Sequence, residues 1–166
     1  FGGGKAVPLA AVERERLTRV KSGIAEFDNV LGGGIVPASL ILVGGDPGVG
    51  KSTLLTRIAA NLSAAHKVLY VSAEESCAQV KLRCERLGVA GAQMYLLNET
   101  CLENIVENIG ESKFVVIDSI QAVYTETLNS SAGSVGQVRE CATALMRLAK
   151  SRGITFFIIG HVTKEG

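Results

Sequence analysis

The chain has no tryptophan, and aromatic residues make up only 5% of its 166 positions. Its core must therefore be built from Val, Ile, Leu and Ala rather than from stacked rings. It also lacks an excess of either charge: 17 Lys and Arg stand against 16 Asp and Glu, a net charge of +1. The clearly basic composition that usually marks a nucleic-acid-binding domain is missing, although a local patch is not excluded. No Cys-x-x-Cys spacing links Cys77, Cys84, Cys101 and Cys141. That argues against a metal knuckle or disulfide framework and for reduced thiols, mostly buried on helical stripes. No apolar run reaches the ~20 residues of a bilayer span, and no charged-then-apolar leader opens the chain. A soluble, cytoplasmic protein with no membrane partner is expected.

What remains is an ordinary globular composition, 47% apolar and 20% charged, in a chain the size of one domain. Residues 1–22, a glycine run followed by mixed charge ("ERER"), read as an N-terminal linker. Residues 23–166 read as the folded core, and the abrupt start and stop suggest a piece of something longer.

From Gly23 onward the pattern is regular. Ile24, Phe27, Val30 and Leu31 give a short helical face stopped by three glycines. Buried strands are then expected at 39–45, 67–72, 93–97, 113–118 and 154–160. Helices separate them: 51–65, one opened by a Ser76–Gln79 capping box, one opened by a Thr100–Glu103 box, and a long one from Val135 to about Arg152. In the long helix Val135, Val138, Cys141 or Ala142, Leu145 and Ala149 are expected to face inward. Strands apolar throughout and separated by amphipathic helices mean a parallel sheet covered on both faces, an α/β fold.

One stretch carries chemistry. Gly45-Asp46-Pro47-Gly48-Val49-Gly50-Lys51-Ser52 follows a strand, opens a helix and fits G-x-x-x-x-G-K-[ST]. A glycine turn is the plain alternative, but the lysine, hydroxyl and helix all favour a phosphate cradle. Glycines let successive N–H groups converge on an anion, and the helix start adds its positive dipole end. Lys51 supplies charge for the β and γ phosphates of ATP, Ser52 a hydroxyl for Mg2+, and Thr53 a donor for the α phosphate. Asp118 ends the apolar strand "FVVID", where a carboxylate can hold Mg2+ through water.

Two consecutive acids, Glu74 and Glu75, follow the second strand. Either can orient and deprotonate an attacking water, with Glu74 preferred. Alternatively, both merely complement a helix start. His161 follows the last strand, where ligands of open parallel sheets bind, and is placed to sense a γ phosphate or simply to end the strand in solvent. The loop "TETLNSSAGSVGQ" holds no Lys or Arg. Its polar side chains and glycine backbone suit phosphate hydrogen bonds, but equally a plain polar connection.

The segments "SGIAEFDNVLGGGIVPASLILVGGDPGVGKSTLL", "LYVSAEES", "VVIDSIQAVYTETLNSSAGSVGQVRE" and "GHVTKEG" closely resemble the RadA (Sms) family of bacterial DNA-repair proteins, in the RecA-like ATPase superfamily. The resemblance implies a RecA-like P-loop fold in which the fifth strand lies between the phosphate-loop strand and the Asp118 strand. It implies an ATP-hydrolysing motor on single-stranded or branched DNA, acting in strand exchange and branch migration. It further implies a homo-oligomeric, hexameric ring and a recombinase partner. It assigns Gly45 to Thr53 to nucleotide, Ser52 and Asp118 to the metal, Glu74 or Glu75 to water activation, and His161 to the γ phosphate. DNA contacts would come from Asn129, Ser130, Ser131, Ser134, Gln137 and Arg139. The family's four-cysteine zinc module, its Lys-Asn-Arg-Phe-Gly motif and its Lon-like domain have no counterpart here, so zinc belongs only to a module outside this chain. Two other readings stand beside this one. A RecA-like ATPase in a signalling role would hydrolyse ATP independently of DNA. A phosphate-loop kinase would need an arginine-bearing lid that no segment between the strands supplies.

Overall fold

The computed structural model describes residues 4–13, 18–45 and 50–161. Five strands, β1 (Leu40–Gly45), β2 (Val68–Ser72), β3 (Met94–Asn98), β4 (Phe114–Asp118) and β5 (Thr155–His161), form one sheet in the order β1-β5-β4-β2-β3. Every pairing is parallel. β5 therefore lies between β1 and β4, as the resemblance implies, and all strands present their carboxyl ends along one edge. Parallel neighbours need crossovers. Helices supply them: α1 (Ala25–Val30) precedes the sheet, and α2 (Lys51–Leu62), α3 (Cys77–Leu87), α4 (Leu102–Ile109) and α5 (Val135–Arg152) follow in turn.

The two-residue period of the strands divides the core into two layers. Val115, Ile117, Phe156 and Ile158 meet Ile105 and Ile109 of α4 and Cys141, Leu145 and Ala149 of α5 on one face. Phe114, Val116, Phe157 and Ile159 meet Leu55, Ile58 and Leu62 of α2 and Val80 of α3 on the other. Strands β2 and β4 are buried throughout, as is all of β5 except His161.

Several expectations need correction. β1 and β3 are edge strands and only half-buried; Leu42 and Tyr95 are 66% and 55% exposed. Val30 and Val135 do not face inward, being 85% and 73% exposed. Val135 is the first residue of α5, two residues before the buried stripe begins at Gln137. The Ser76–Gln79 capping box forms in full. The Thr100–Glu103 box does not: the N-cap of α4 is Cys101, without a side-chain bond. Glu103 is turned instead to the loop after β4, accepting from the Thr125 hydroxyl and the Glu126 N–H, both at 2.8 Å. Of the four thiols, Cys101 and Cys141 are buried, whereas Cys77 and Cys84 are partly exposed.

The end of the stretch read as a linker is already tied to the body. Val20 bridges Ile35, Arg19 donates to Leu31 and Gly34 carbonyls, and the Ser22 N–H donates to buried Asp28. Gly23 follows at φ +84°, with the Asn61 amide 2.5 Å from where a Cβ would stand, so no larger residue fits there without displacing α2's side chain.

Candidate functional site

The sheet register sets the site. Gly45 of β1 lies opposite His161 of β5, Asp118 of β4 opposite Ile159, and Ser72 of β2 opposite Asp118. His161, at the end of β5, and Glu74, two residues past the end of β2, thus each stand two residues beyond the level of Asp118 on the chains that flank it. Because β4 stops at Asp118, the two side chains can meet over its end. Glu74 Oε1 lies 3.9 Å from His161 Nε2 and accepts a hydrogen bond of 2.9 Å from Ser119 Oγ.

The phosphate-loop residues Asp46, Pro47, Gly48 and Val49 lie outside the described residues. Their flanks are described. Gly45 has φ +151°, and Gly50 caps α2 in the left-handed conformation at φ +72°. Lys51 is 8% exposed and its Nζ donates to the Gly45 carbonyl at 2.6 Å, which folds the lysine back toward the end of β1. Thr53 is exposed one residue beyond Ser52. A cleft of about 240 Å³ opens here, lined by Gly50, Lys51, Ser52, Thr53, Arg83 and His161. A larger cleft of about 490 Å³ lies at the opposite edge of the sheet, around Gly110, Ser112 and Arg152, and holds no member of this set.

Ser52 Oγ donates to Asp118 Oδ2 at 2.7 Å, joining two residues far apart in the chain. The Tyr70 hydroxyl donates to the same oxygen at 2.8 Å. Burial, then the charge and hydrogen bond of Asp118, push the Tyr70 phenol far above its ordinary range, so it remains a donor. Ser52 and Asp118 offer a hydroxyl and a carboxylate, the all-oxygen chemistry that suits a hard cation such as Mg2+.

The two acids after β2 diverge. Glu75 forms an ion pair with Arg83 of α3. Burial works against the Arg83 charge, but the Glu75 hydrogen bond together with the charges of Tyr70, Glu75 and Asp118 outweighs it, and the Arg83 pKa is raised. Arg83 also donates to Thr56 Oγ1 at 3.3 Å, pinning α3 to α2. Nothing in the chain's motifs singles out Tyr70 or Arg83; each reads as strand core or helix surface until the sheet brings β2, α2 and α3 together. His161 is held by a reciprocal pair, its N–H to Gln121 Oε1 at 3.2 Å and its carbonyl from Gln121 Nε2 at 3.3 Å. Among the described residues its buried ring Nδ1 has no partner.

The candidate DNA residues divide by burial. Asn129, Ser130, Ser131 and Arg139 are exposed, and Ser134 caps α5 by accepting from the Gln137 N–H at 3.3 Å. Gln137 is fully buried, contrary to the expectation that it faces a ligand. Its amide accepts from the Thr125 N–H at 2.8 Å and donates to the Thr125 and Ser130 carbonyls at 3.2 and 2.9 Å, so it holds the loop from inside.

Comparison with known proteins gives the family and the fold. The model of a family described as AAA domain matches residues 8–166. The chain belongs to the AAA domain family. DNA repair protein RadA of Listeria monocytogenes is 54% identical over 98% of the chain, and that of Bacillus subtilis 52% identical over 98%. The chain spans 36% of the length of each, bearing out the resemblance to the core of that family. A KaiC-like protein from Pyrococcus horikoshii OT3 superposes with a TM-score of 0.72 at 21% identity, covering 88% of this chain and 71% of that one. The shared fold is RecA-like. Among the described residues no helix is long and apolar enough to cross a membrane.

Proposed function

We propose that residues 23–166 form the ATP-hydrolysing core of a DNA repair motor that acts on single-stranded or branched DNA. The observation that carries this reading is the junction of Ser52 with Asp118 at 2.7 Å, directly beneath Glu74 and His161. In it, backbone from Gly45 to Thr53 binds the phosphates and Lys51 leaves the Gly45 carbonyl for the β and γ oxygens. Ser52 and, through water, Asp118 would hold Mg2+, which neutralises charge on those oxygens when bound.

Glu74 is the better candidate for the base. Glu75 is engaged by Arg83, whereas Glu74 is 54% exposed in its side chain and stands beside His161. Glu74 orients and deprotonates the attacking water, Ser119 holds Glu74 by a hydrogen bond to Oε1, and His161 senses the γ phosphate. Exposed Asn129, Ser130, Ser131 and Arg139 contact DNA phosphates on a loop shaped by Ser134 and Gln137. Assembly into a hexameric ring, a recombinase partner, strand exchange and branch migration in the cytoplasm belong to the same reading. So do ADP as product and a zinc module outside this chain.

The absence of Lys and Arg from residues 125–137 favours the second reading, an ATPase with a signalling role that turns over without DNA. ATP turnover by the full-length protein, measured at low salt with and without single-stranded DNA, separates the two. Stimulation by DNA is expected; turnover indifferent to DNA overturns the motor and leaves the signalling ATPase.

A further inference from the structure

Tyr70 sits in the middle of β2, with no exposed surface. Its ring lies in the layer with Phe114, Val116 and Phe157, where a phenylalanine would bury the same apolar area. A hydroxyl taken into such a layer is unfavourable unless it finds a partner. Its partner is Asp118 Oδ2, at 2.8 Å. Ser52 Oγ meets the same oxygen from the cleft side at 2.7 Å. Among the described residues, Oδ1 accepts no hydrogen bond, so the two oxygens of one carboxylate are unequal.

That inequality has a use. A serine hydroxyl whose proton is committed to Oδ2 turns its lone pairs outward, toward the cleft. A carboxylate held at Oδ2 by two donors cannot rotate freely, so Oδ1 keeps one direction. The wall behind Tyr70 is itself fixed: Thr56 Oγ1 donates to the Ser52 carbonyl at 2.6 Å and accepts from Arg83, which is paired with Glu75.

We propose that Tyr70 is a positioning residue for the metal site: its hydroxyl locks Asp118 so that Oδ2 aligns Ser52 and Oδ1 is the oxygen presented to a metal's water shell. This rests on the assignment of Ser52 and Asp118 to a divalent cation. Partners behind a metal-binding group typically change metal affinity by about 10–100-fold when removed. In the full-length protein, binding of N-methylanthraniloyl-ADP is followed by fluorescence while Mg2+ is titrated, with Mn2+ as a second probe. Tyr70→Phe is expected to raise the Mg2+ concentration at half-saturation by about 10–100-fold, with nucleotide affinity in EDTA unchanged. A packing role would alter thermal stability and leave that ratio alone. Tyr70→Met removes the hydroxyl with a different apolar side chain and is expected to give the same shift. In an Asp118→Asn background, Tyr70→Phe should add no further shift. Half-saturation within about 2-fold of the parent for either Tyr70 variant overturns the proposal, about 2-fold being well short of the expected loss. A parent whose nucleotide binding ignores Mg2+ overturns the metal assignment first, and the proposal with it.

Discussion

Replacing Gln137 by methionine isolates the cost of a buried amide that has no freedom to be anything else. The side chains are similar in length, so little cavity forms and the change is mainly one of hydrogen bonding. Gln137 is 0% and Thr125 3% exposed, so the N–H and carbonyl that the amide serves on Thr125 cannot turn to water. Ser130 is exposed, and its carbonyl can be rehydrated once the 2.9 Å bond from Gln137 is gone. The Thr125 carbonyl keeps a long 3.4 Å bond from the Leu128 N–H, so the Thr125 N–H alone is orphaned outright, at a cost of ~1–3 kcal/mol. Against a typical domain stability of ~5–15 kcal/mol this is a readily measured loss. Urea denaturation of parent and variant measures it, provided the slope with denaturant is unchanged. The loop can instead open locally to hydrate Thr125, which would cap the global loss but expose the Thr125 amide to hydrogen exchange. A destabilisation below ~0.5 kcal/mol with that amide still protected would refute the reasoning, because every route that relieves the orphaned N–H is then excluded.

Glu74→Gln should retain ATP binding and lower kcat by about 10²–10⁴, whereas Glu75→Gln should act through the loss of its Arg83 pair and cost less; single-turnover rates giving the reverse order would exchange their roles. Lys51→Ala should reduce turnover by at least about 10²-fold, and near-normal steady-state hydrolysis would contradict the cradle. Burial, then the nearby Glu103 and Glu140 carboxylates, push the Cys141 thiol up to about 11 from 9.0, so it is protonated at pH 8 and should be alkylated after partly exposed Cys77 in an iodoacetamide time course read by mass spectrometry. A folded pKa raised in this way gives stability that is complete below pH 9 and lost as pH rises toward 11; Cys141→Ala should flatten that fall in alkaline denaturation curves.

The sequence made the sheet legible because β2, β4 and β5 are continuous apolar runs that only burial on both faces explains. It did not distinguish edge from centre: β1 and β3 are as apolar as the rest, and their half-exposure follows from strand order, a tertiary fact. The Thr100–Glu103 spacing is a sound local signal, but the tertiary partners Thr125 and Glu126 outcompeted the capping geometry for the Glu103 carboxylate. Residues recognised by motif (Lys51, Ser52, Asp118, Glu74, Glu75) were available because their chemistry dictates spacing or strand position. Tyr70, Arg83 and Gln137 work through contacts 48, 27 and 12 residues away in the chain, which no local pattern encodes.

The crossover order explains why those contacts converge on one place. Adjacent strands are about 4.8 Å apart, so β2 and β5, on either side of β4, are separated by nearly 10 Å. A residue on each could not touch if β4 continued between them. It ends at Asp118, and the chain turns away through Ser119 into the short helical turn Ile120–Ala122. The gap above Asp118 is then bordered by Glu74, Ser119 and His161, while Ser52 closes it from the α2 side at 2.7 Å. Extending β4 by even two residues would fill the space proposed for a γ phosphate and a water. The length of β4, as much as the glycine-rich turn after β1, therefore decides whether this sheet edge can hold the chemistry proposed for it.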